Sequence, residues 1–406
     1  MNWGSDRSTL AAVARVVAAG LAVCAAAPGQ GATTPTAPAQ SRAAKPAPNH
    51  ADWPLYRGGP GLLGVAPGTL GDAFTLAWSF ATGDAIVSSP VVAGELVFVG
   101  SSDQSVYAIE RATGKKRWSF KTDDMVDAPP LVHGGRVYVG SGDGSFFALD
   151  ATTGKQLWKA QTGDKIVGSA NLHHDRDGAT RIVVGSYDNR LYCFDPTGKQ
   201  LWRYETANHL NGTPALEGGQ AVFGGCDAVL HMLSVRDGKR VRAVELDGDS
   251  HIAGSVAVAG GKAYFGHHGN AFVCVDLGTG KTVWTYTCKN HGFLSSPAGG
   301  DDRVVLGGRD KRLHCARRSD GKPLWTFATK RKIDGSPLIC GDKVVCGSGD
   351  GRLYVVRLAD GKPVWQYECG RSISSSPAIA GGWIFIGADD GRLYAFRPAA
   401  AQKPVR

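Results

Sequence analysis

SSPVVAGELVFVGSSDQSVYAIERATGKKRW, residues 88–118, is the unit from which the fold can be predicted, because the rest of the chain repeats it. The residue that follows its two serines, a proline here, has an equivalent in every copy. The eight equivalent positions are Pro90, Pro130, Ala170, Pro214, Val256, Pro297, Pro337 and Pro377. Their spacing of 40 to 44 residues indicates a repeat architecture. Eight copies fill residues 51–398 and leave no room for a second domain.

Each copy except the last contains three turns that separate four short runs of alternating apolar and polar residues. The turns of the second copy are HGG at 133–135, SGDG at 141–144 and TGK at 153–155. Glycine supplies the positive φ of such turns, and aspartate accepts hydrogen bonds from the backbone ahead of it. Four antiparallel strands per copy are therefore predicted. The predicted fold is all-β, an eight-bladed β-propeller of four-stranded antiparallel blades.

The two ends of the chain predict how the ring closes. The last copy ends before its third turn and fourth strand, so it lacks an outer strand. A matching run, LAWSF at 76–80, precedes the first copy, and Trp78 lies twelve residues before Pro90 as Trp118 lies twelve before Pro130. The N-terminal strand is therefore expected to complete the last blade, which hides both open sheet edges.

The third and fourth strands resemble a known repeat. GSFFALDATTGKQLW, residues 144–158, resembles the repeat of the PQQ-type propellers, which include quinoprotein dehydrogenases and non-enzymatic BamB-type barrel-assembly lipoproteins. WPLYRG, residues 53–58, resembles the WPxxRG opening of the compact PQQ-like repeat proteins. The likeness covers residues 53–398. It implies that one tryptophan per outer strand docks each blade on its neighbour, at Trp78, Trp118, Trp158, Trp202, Trp284, Trp325 and Trp365. The fourth copy has Arg242 there instead.

The resemblance also implies that the Ser-Ser-Pro strand is innermost and lines a central channel. The loop that leads into this strand, here called the leading loop, then shares one face with the SxDG turn. The candidate ligand-binding or partner-binding residues on this face are His209, Asn211, His251, His267, His268, His291, Lys165, Lys332 and Arg371.

FGHHGN, residues 265–270, is the exceptional SxDG turn, because Gly269 stands where every other copy has aspartate. Imidazoles from neighbouring loops can bind a transition metal or an anion. His251, His267 and His268 are the candidate metal ligands, although histidines on turns lack the fixed spacing of helix-borne metal motifs and no metal is expected.

Three further groups of residues receive structural interpretations. His231 and His314 replace the tyrosine of the third strand and are interpreted as packing substitutions. Cysteines 193, 274 and 315 stand where other copies have alanine and are interpreted as small core residues. The pair Asp175 and Asp177 falls short of a calcium cage and is interpreted as part of a longer hairpin turn.

A quinoprotein dehydrogenase is the enzymatic alternative that the resemblance raises. Such relatives hold PQQ and calcium with a Glu, Asn and Asp set, an adjacent cysteine pair and long inter-blade insertions. This chain has no adjacent cysteines, and its largest copy exceeds the commonest by four residues. Neither PQQ nor calcium is expected. The preferred hypothesis is a monomeric, non-catalytic scaffold that binds other envelope proteins or a cell-envelope polymer; the other alternative is a metal-binding or anion-binding propeller.

The first fifty residues predict export. Arg7 and Arg15 precede an apolar run at 16–27 that is too short to span a bilayer, so residues 1–27 are predicted to be a signal peptide. The Ala/Pro/Thr-rich residues 28–50 are predicted to be a disordered linker, and residues 399–406 a disordered tail. The predicted location is the periplasm or cell envelope.

The stretch LAVC at 21–24 resembles a lipobox and offers an alternative, a lipid anchor at Cys24 in the outer membrane, although Val23 stands where a smaller residue is usual. The formal charge of +9 includes no run of five basic residues, so nucleic acid is not an expected partner.

Overall fold

The computed structural model describes residues 52–247, 250–288 and 291–399. The predicted signal peptide, the linker, Cys24 and the tail beyond residue 399 lie outside the described residues. Within these ranges the regular structure is one 3-10 turn, Tyr56–Gly58, and 33 β-strands. The described part of the chain contains no helix that is both long enough and apolar enough to cross a bilayer.

The strands follow the repeat, and two of them precede the first copy. Those two strands are β1 (Val65–Ala66) and β2 (Phe74–Ala81). The strands of blades 1 and 2 are β3 (Val91–Ala93), β4 (Leu96–Ser101), β5 (Ser105–Glu110), β6 (Lys116–Lys121), β7 (Leu131–His133), β8 (Arg136–Gly140), β9 (Ser145–Asp150) and β10 (Gln156–Gln161). The strands of blades 3 and 4 are β11 (Asn171–His174), β12 (Thr180–Ser186), β13 (Arg190–Phe194), β14 (Gln200–Glu205), β15 (Ala215–Glu217), β16 (Gln220–Gly224), β17 (Val229–Ser234) and β18 (Arg240–Glu245).

The second half of the ring is built in the same way. The strands of blades 5 and 6 are β19 (Ala257–Ala259), β20 (Lys262–Gly266), β21 (Ala271–Asp276), β22 (Thr282–Thr287), β23 (Ala298–Gly299), β24 (Arg303–Gly307), β25 (Arg312–Arg317) and β26 (Pro323–Ala328). The strands of blades 7 and 8 are β27 (Leu338–Cys340), β28 (Lys343–Gly347), β29 (Arg352–Arg357), β30 (Pro363–Glu368), β31 (Ala378–Ala380), β32 (Trp383–Gly387) and β33 (Arg392–Pro398).

The sheet order confirms the predicted eight-bladed propeller and its closure. Each of the eight sheets contains four antiparallel strands, and blade 8 has the order β2-β33-β32-β31. β2 pairs antiparallel with β33, from Phe74 opposite Pro398 to Ala81 opposite Arg392. The N-terminal strand therefore supplies the outer strand that the last copy lacks. β1 adds to blade 7 by parallel pairing with β27.

The outer-strand tryptophans lie against the TGK turn of the following blade. Trp78 Nε1 donates a 2.8 Å hydrogen bond to the Arg111 carbonyl, and a Cβ on Gly114 would lie 2.7 Å from the indole. Glycine at this turn, at φ 74°, therefore permits both the backbone conformation and the close approach of the ring. The same contact joins Trp118 to Gly154, Trp158 to Gly198, Trp202 to Gly238, Trp284 to Gly321 and Trp325 to Gly361.

Two blades depart from this contact. Arg242 replaces the tryptophan of blade 4 and donates hydrogen bonds to the carbonyls of Thr279 (3.1 Å) and Gly278 (2.8 Å) in the same turn. This interface is therefore held by a polar contact instead of an indole. Trp365 faces blade 8, which has no TGK turn, and packs against Phe74 of β2 with ring centroids 5.2 Å apart.

The aspartate of the SxDG turn has a structural role within its own blade. Tyr107 Oη donates a 2.7 Å hydrogen bond to Asp103, and three other blades contain the same pair. His231 Nε2 lies 2.9 Å from Asp227, and His314 Nε2 lies 3.0 Å from Asp310. The two histidines therefore replace the hydrogen bond of the tyrosine as well as its packing, which extends the interpretation made from sequence.

The cysteines are buried or half-buried thiols. The eight cysteines of the described residues form no disulfide. Cys193, Cys274 and Cys315 are buried, and burial raises the pKa of the Cys193 thiol to about 12. They pack as small core residues, in agreement with their alignment to alanine.

The segment before the first blade closes one end of the channel. We call residues 53–66 the plug, because their backbone hydrogen-bonds to inner strands around the ring. The carbonyls of Pro54, Pro60, Gly61, Leu63 and Gly64 accept hydrogen bonds from the inner strands of blades 2, 4, 5, 6 and 7. The backbones of Trp53 and Val92 of blade 1 form two hydrogen bonds, and each residue donates one of them. The plug lies where the inner strands reach their hairpin turns, so the opposite end of the channel stays open.

Arg57 anchors the plug from a buried position. It is 2% exposed and has a φ of 64°. Its Nη1 and Nη2 donate 2.5 Å hydrogen bonds to the carbonyls of Pro337 and Pro297. Burial lowers the pKa of Arg57 to about 10, so the guanidinium remains charged at neutral pH. One side chain thereby ties the plug to blades 6 and 7.

Candidate functional site

The leading loops and SxDG turns surround the open end of the channel, which we call the mouth. In each blade the backbone of the turn bonds to the leading loop, as when Ser102 N donates to the Ala85 carbonyl (2.9 Å) and Gly142 N to that of Met125 (2.8 Å). These bonds hold loop and turn on one face, as the family resemblance implied. In its described part, the mouth is therefore a rim of short loops, each tied to a turn of its own blade.

A ring of hydroxyl groups lines the channel below the mouth. In six blades the hydroxyl of the residue just before the repeat anchor, a serine or Thr213, accepts a hydrogen bond from the equivalent backbone N–H of the preceding blade. The six bonds, at 2.9–3.0 Å, are Ser169 to Thr213, Thr213 to Ser255, Ser255 to Ser296, Ser296 to Ser336, Ser336 to Ser376 and Ser376 to Ser89. Pro129 interrupts the ring at blade 2. The motif therefore joins inner strands of neighbouring blades.

The cavity inside this ring is small and polar. Its volume is about 170 Å³, and Tyr56 of the plug contributes to its lining. Tyr56 Oη lies 3.3 Å from Ser296 Oγ and 3.1 Å from Ser336 Oγ. The carboxylates of Asp127 and Asp334 also line the cavity. These two aspartates, three residues before their repeat anchors, were not predicted from the sequence.

The two cavity carboxylates have different surroundings. Burial, together with the nearby charges of Asp124 and Asp84, raises the pKa of Asp127, although Ser102 donates a 3.0 Å hydrogen bond to it. Asp334 instead pairs with Arg309 (3.1 Å) and Lys332 (2.5 Å). A cation is therefore better accommodated on the Asp127 side.

Charge is distributed unevenly around the mouth. The leading loops of blades 1 and 2, at 82–87 and 122–127, contain Asp84, Asp123, Asp124 and Asp127 and no cationic residue. On blades 6 and 7, by contrast, the turn of blade 6 and the leading loop of blade 7 carry Arg309, Lys311, Lys330, Arg331 and Lys332 against Asp310 and Asp334. The mouth is thus acidic on one side and basic on the other.

The candidate residues from the sequence differ in how exposed their side chains are at the mouth. Six are exposed, namely Lys165, His209, His268, His291, Lys332 and Arg371. Asn211 and His251 are half-buried, and Asn211 also lines the cavity. His267 is buried, with 7% exposure.

The histidines separate into small groups. His209 stacks on Tyr187 at 5.1 Å between ring centroids, and Lys165 Nζ lies 4.4 Å from the centroid of the same tyrosine ring. His251 and His268 meet edge to face at 6.3 Å. These candidates do not form a metal-ligand cluster: among the described residues, the one group of three or more ligand atoms within 4.8 Å of one another is that of Cys288, Asp310 and His314.

The FGHHGN turn is stabilised by His267. Its Nδ1 accepts a 3.0 Å hydrogen bond from the backbone N–H of Gly269. In blades 1, 3 and 7 a serine hydroxyl accepts the equivalent bond, as Ser101 does from Asp103 at 3.2 Å. The tyrosine that would pair with the missing aspartate is also absent, because Val273 replaces it. His267 therefore takes over the role of the turn serine.

A pH-dependent stability follows from this hydrogen bond. Burial, and the neighbouring His268, lower the pKa of His267 below its usual value of about 6.5. Protonation is thus penalised in the folded state, so stability is highest above about pH 6.5 and falls as the pH drops through the lowered pKa, by at most ~1.4 kcal/mol per pH unit. Thermal melts of His267→Ser between pH 7.5 and 5 are expected to show a weaker pH dependence than the parent protein.

The control for this prediction is His291→Ser, which changes an exposed histidine of the same face. It is expected to keep the parent pH profile. An equally steep profile in His267→Ser would show that the turn histidine does not carry the effect.

Fold and mouth together define the class: an eight-bladed propeller of PQQ-like repeats with a plugged channel. A family model described as "Outer membrane protein assembly factor BamB" matches residues 72–176, 177–292 and 270–403. The chain belongs to this family. No curated protein sequence matches the chain.

Solved structures of two functional kinds are similar in fold. BamB from Moraxella catarrhalis has 17% identity and a TM-score of 0.69, with 80% of this chain and 100% of that chain covered. A quinohemoprotein alcohol dehydrogenase from Pseudomonas putida has 13% identity and a TM-score of 0.74, with 88% and 82% covered. A europium-containing methanol dehydrogenase has 14% identity and a TM-score of 0.73, with 86% and 98% covered. Fold similarity at these identities does not separate a scaffold from an enzyme.

Proposed function

We propose that this chain is a non-catalytic binding propeller of the cell envelope whose mouth docks onto another protein. The observation that carries the proposal is the uneven charge of the mouth, on a scaffold whose other channel end is closed by the plug. A rim with charges of both signs can orient a partner. The family description, an assembly factor of outer membrane proteins, supports a partner in the envelope.

A protein partner fits this charge pattern better than a polymer of uniform charge. A polyanion would be attracted by Lys330 and Arg331 but repelled by Asp123 and Asp124 on the other side. A folded partner can place its own charges to match both sides. A cell-envelope polymer is therefore the second candidate partner for the same surface.

The cavity does not fit the quinone cofactor of the dehydrogenase alternative. Small-molecule sites usually enclose ~300–1,000 Å³, and this cavity holds about 170 Å³. Its carboxylates come from Asp127 and Asp334, no glutamate lines it, and many of its other polar atoms belong to the hydroxyl ring. Tyr56 and the buried Arg57 hold the plug below it.

Export is part of the proposal and rests on the sequence of residues 1–27. The signal peptide would deliver the propeller to the periplasm or cell envelope, and Cys24 offers the alternative of a lipid anchor in the outer membrane. The linker at 28–50 would then separate the propeller from the membrane surface.

Site-directed photo-crosslinking in intact cells tests the proposal. A photoreactive residue is placed at Met125 or His268, which are exposed at the mouth, and at Arg176, which is exposed on the hairpin face. Illumination is expected to give the same discrete protein adduct from both mouth positions and none from Arg176.

Charge reversal tests whether the adduct depends on the basic side of the mouth. Lys330→Glu with Arg331→Glu is expected to weaken the adduct at His268 at least fivefold without lowering the melting temperature. Equal adducts from both faces, or adducts unaffected by the reversal, would refute docking at the mouth. Heterogeneous, protease-resistant adducts would instead identify an envelope polymer.

A further inference from the structure

Cys288, Asp310 and His314 come together beside the mouth, at the start of blade 6. Cys288 follows β22, Asp310 lies in the turn between β24 and β25, and His314 lies in β25. His314 Nε2 is 3.0 Å from one carboxylate oxygen of Asp310, and Cys288 Sγ is 3.4 Å from the other. The sulfur, carboxylate and imidazole ligand atoms all lie within 4.8 Å of one another.

These distances are close to those of a tetrahedral metal site. Zinc binds sulfur at ~2.3 Å and nitrogen or oxygen at ~2.0–2.2 Å, so tetrahedral ligand atoms lie ~3.3–3.7 Å apart. The separations of His314 Nε2 and Cys288 Sγ from Asp310, each to a different carboxylate oxygen, are within about 0.3 Å of this range. The third pair, sulfur and imidazole nitrogen, needs to close by at most about 1.5 Å. A closure of this size would bring all three ligands to one ion.

Comparison of the blades shows that this combination is particular to blade 6. The Cys288 position, four residues after the docking tryptophan, holds threonine in five places: Thr82, Thr122, Thr162, Thr206 and Thr329. Thr122, for example, donates a hydrogen bond to the Gln104 carbonyl at 2.9 Å. The His314 position holds tyrosine in four blades. Cys288 and His314, which can both bind a metal, thus replace the common threonine and tyrosine next to Asp310.

Blade 4 contains the matched arrangement with one ligand fewer. His231 and Asp227 have the same contact as His314 and Asp310, but the third position is Thr206. A neutral hydroxyl is a much poorer zinc ligand than a thiolate. Blade 4 is therefore a built-in control within the same chain.

The surroundings of His314 also suit a metal ligand. Its Nδ1 lies 2.8 Å from Tyr286 Oη, which fixes the orientation of the ring. When Nε2 binds a metal, the ring proton resides on Nδ1 and is donated to Tyr286 Oη. The Cys288 thiol loses its proton to solvent, so one thiolate and one carboxylate balance a divalent ion. Cys288 and Asp310 are partly exposed, the Asp310 side chain to 13%, which leaves a path for the ion and for a water molecule as fourth ligand.

We propose that Cys288, Asp310 and His314 form a zinc-binding site. The inference goes beyond the proposed docking function and does not depend on it, because it concerns a different set of side chains. Bound zinc would join the end of the blade 5 outer strand to the turn of blade 6, and so fix the rim of the mouth at this point.

Metal titration of the purified, reduced, metal-free protein tests the site. Calorimetry is expected to show one Zn²⁺ per chain, and Co²⁺ is expected to give a thiolate-to-cobalt charge-transfer band. Cys288→Thr and His314→Tyr introduce residues that other blades carry at these positions, so both variants are expected to fold. Each is expected to weaken Zn²⁺ binding at least tenfold, and Cys288→Thr to abolish the charge-transfer band.

Two controls separate this site from others. His231→Tyr alters the matched histidine of blade 4, and Cys226→Ser alters another half-buried thiol; both are expected to retain the parent affinity. Absence of stoichiometric Zn²⁺ binding by the parent protein would overturn the proposal, as would unchanged binding by Cys288→Thr. If His314→Tyr fails to fold, the Zn²⁺ affinity of Cys288→Thr is sufficient to test the proposal, once a thermal melt has shown that this variant is folded.

Discussion

Deletion of residues 52–81 is expected to abolish cooperative folding of the propeller. The deletion removes β2 and leaves the edge of β33 unpaired along seven register pairs. It also removes Trp78 and Phe74 from the interfaces of blade 8, and the plug from the inner strands. Loss of a large buried aromatic costs ~3–5 kcal/mol, and each hydrogen bond adds ~1 kcal/mol. The total exceeds the ~5–15 kcal/mol by which most domains are stable.

A thermal melt followed by circular dichroism measures this effect, with the chain starting at residue 52 as the reference. A permuted chain isolates the contribution of closure. Phe74 lies opposite Pro398, so residues 73–81 can be attached after residue 399 through a short glycine turn. This chain is expected to regain a cooperative transition, at a lower temperature than the reference because it lacks the plug. A deletion variant that melts like the reference would refute closure by β2.

Arg57→Ala is expected to lower the free energy of unfolding by about 3–5 kcal/mol. The substitution removes both hydrogen bonds to the carbonyls of Pro297 and Pro337, and these carbonyls then remain buried without a donor. Hydrogen bonds from a charged group contribute ~1.5–3 kcal/mol each, and an unsatisfied buried acceptor adds a further cost. Denaturant unfolding measures the change.

Arg242→Ala is the matched control for this prediction. Arg242 also donates two hydrogen bonds to backbone carbonyls, but it is exposed and those carbonyls can bond to water. Its loss is expected to cost under about 1 kcal/mol. Equal effects of the two substitutions would show that burial does not determine the contribution of Arg57. Arg57→Lys is expected to recover less than half of the loss, because one ammonium group lacks the fork of the guanidinium.

The architecture could be predicted from the sequence because its signals are local and repeated. Turn glycines, alternating strands and one tryptophan per copy lie within about 40 residues of one another, and eight copies average out the exceptions. The missing last strand and the matching run at 76–80 also identified the closure. The leading loops could be assigned to one face because the family resemblance implied which strand is innermost.

The site residues were harder to predict because their environment depends on neighbouring blades. The double histidine of FGHHGN was a candidate site for a ligand or partner in the sequence. In the structure, His267 accepts a hydrogen bond within its own turn, and His268 is the one whose ring contacts His251. Asp127 and Asp334 share the same cavity although 207 positions separate them. Nothing in either leading loop alone indicates that the two carboxylates line one cavity.

The eight blades, their turns and the strand that closes the ring could be predicted from sequence, since each follows from short patterns along the chain. Two other features became visible only in the folded protein: Arg57 binds carbonyls 240 and 280 residues away, and a thiol, a carboxylate and an imidazole from two blades lie within 4.8 Å of one another. The plug contacts and the hydrogen bond between Ser376 and Ser89 require the closed ring, which brings distant segments together. The cluster at Cys288 requires the packing of the segment after the blade 5 outer strand on the turn of the next blade.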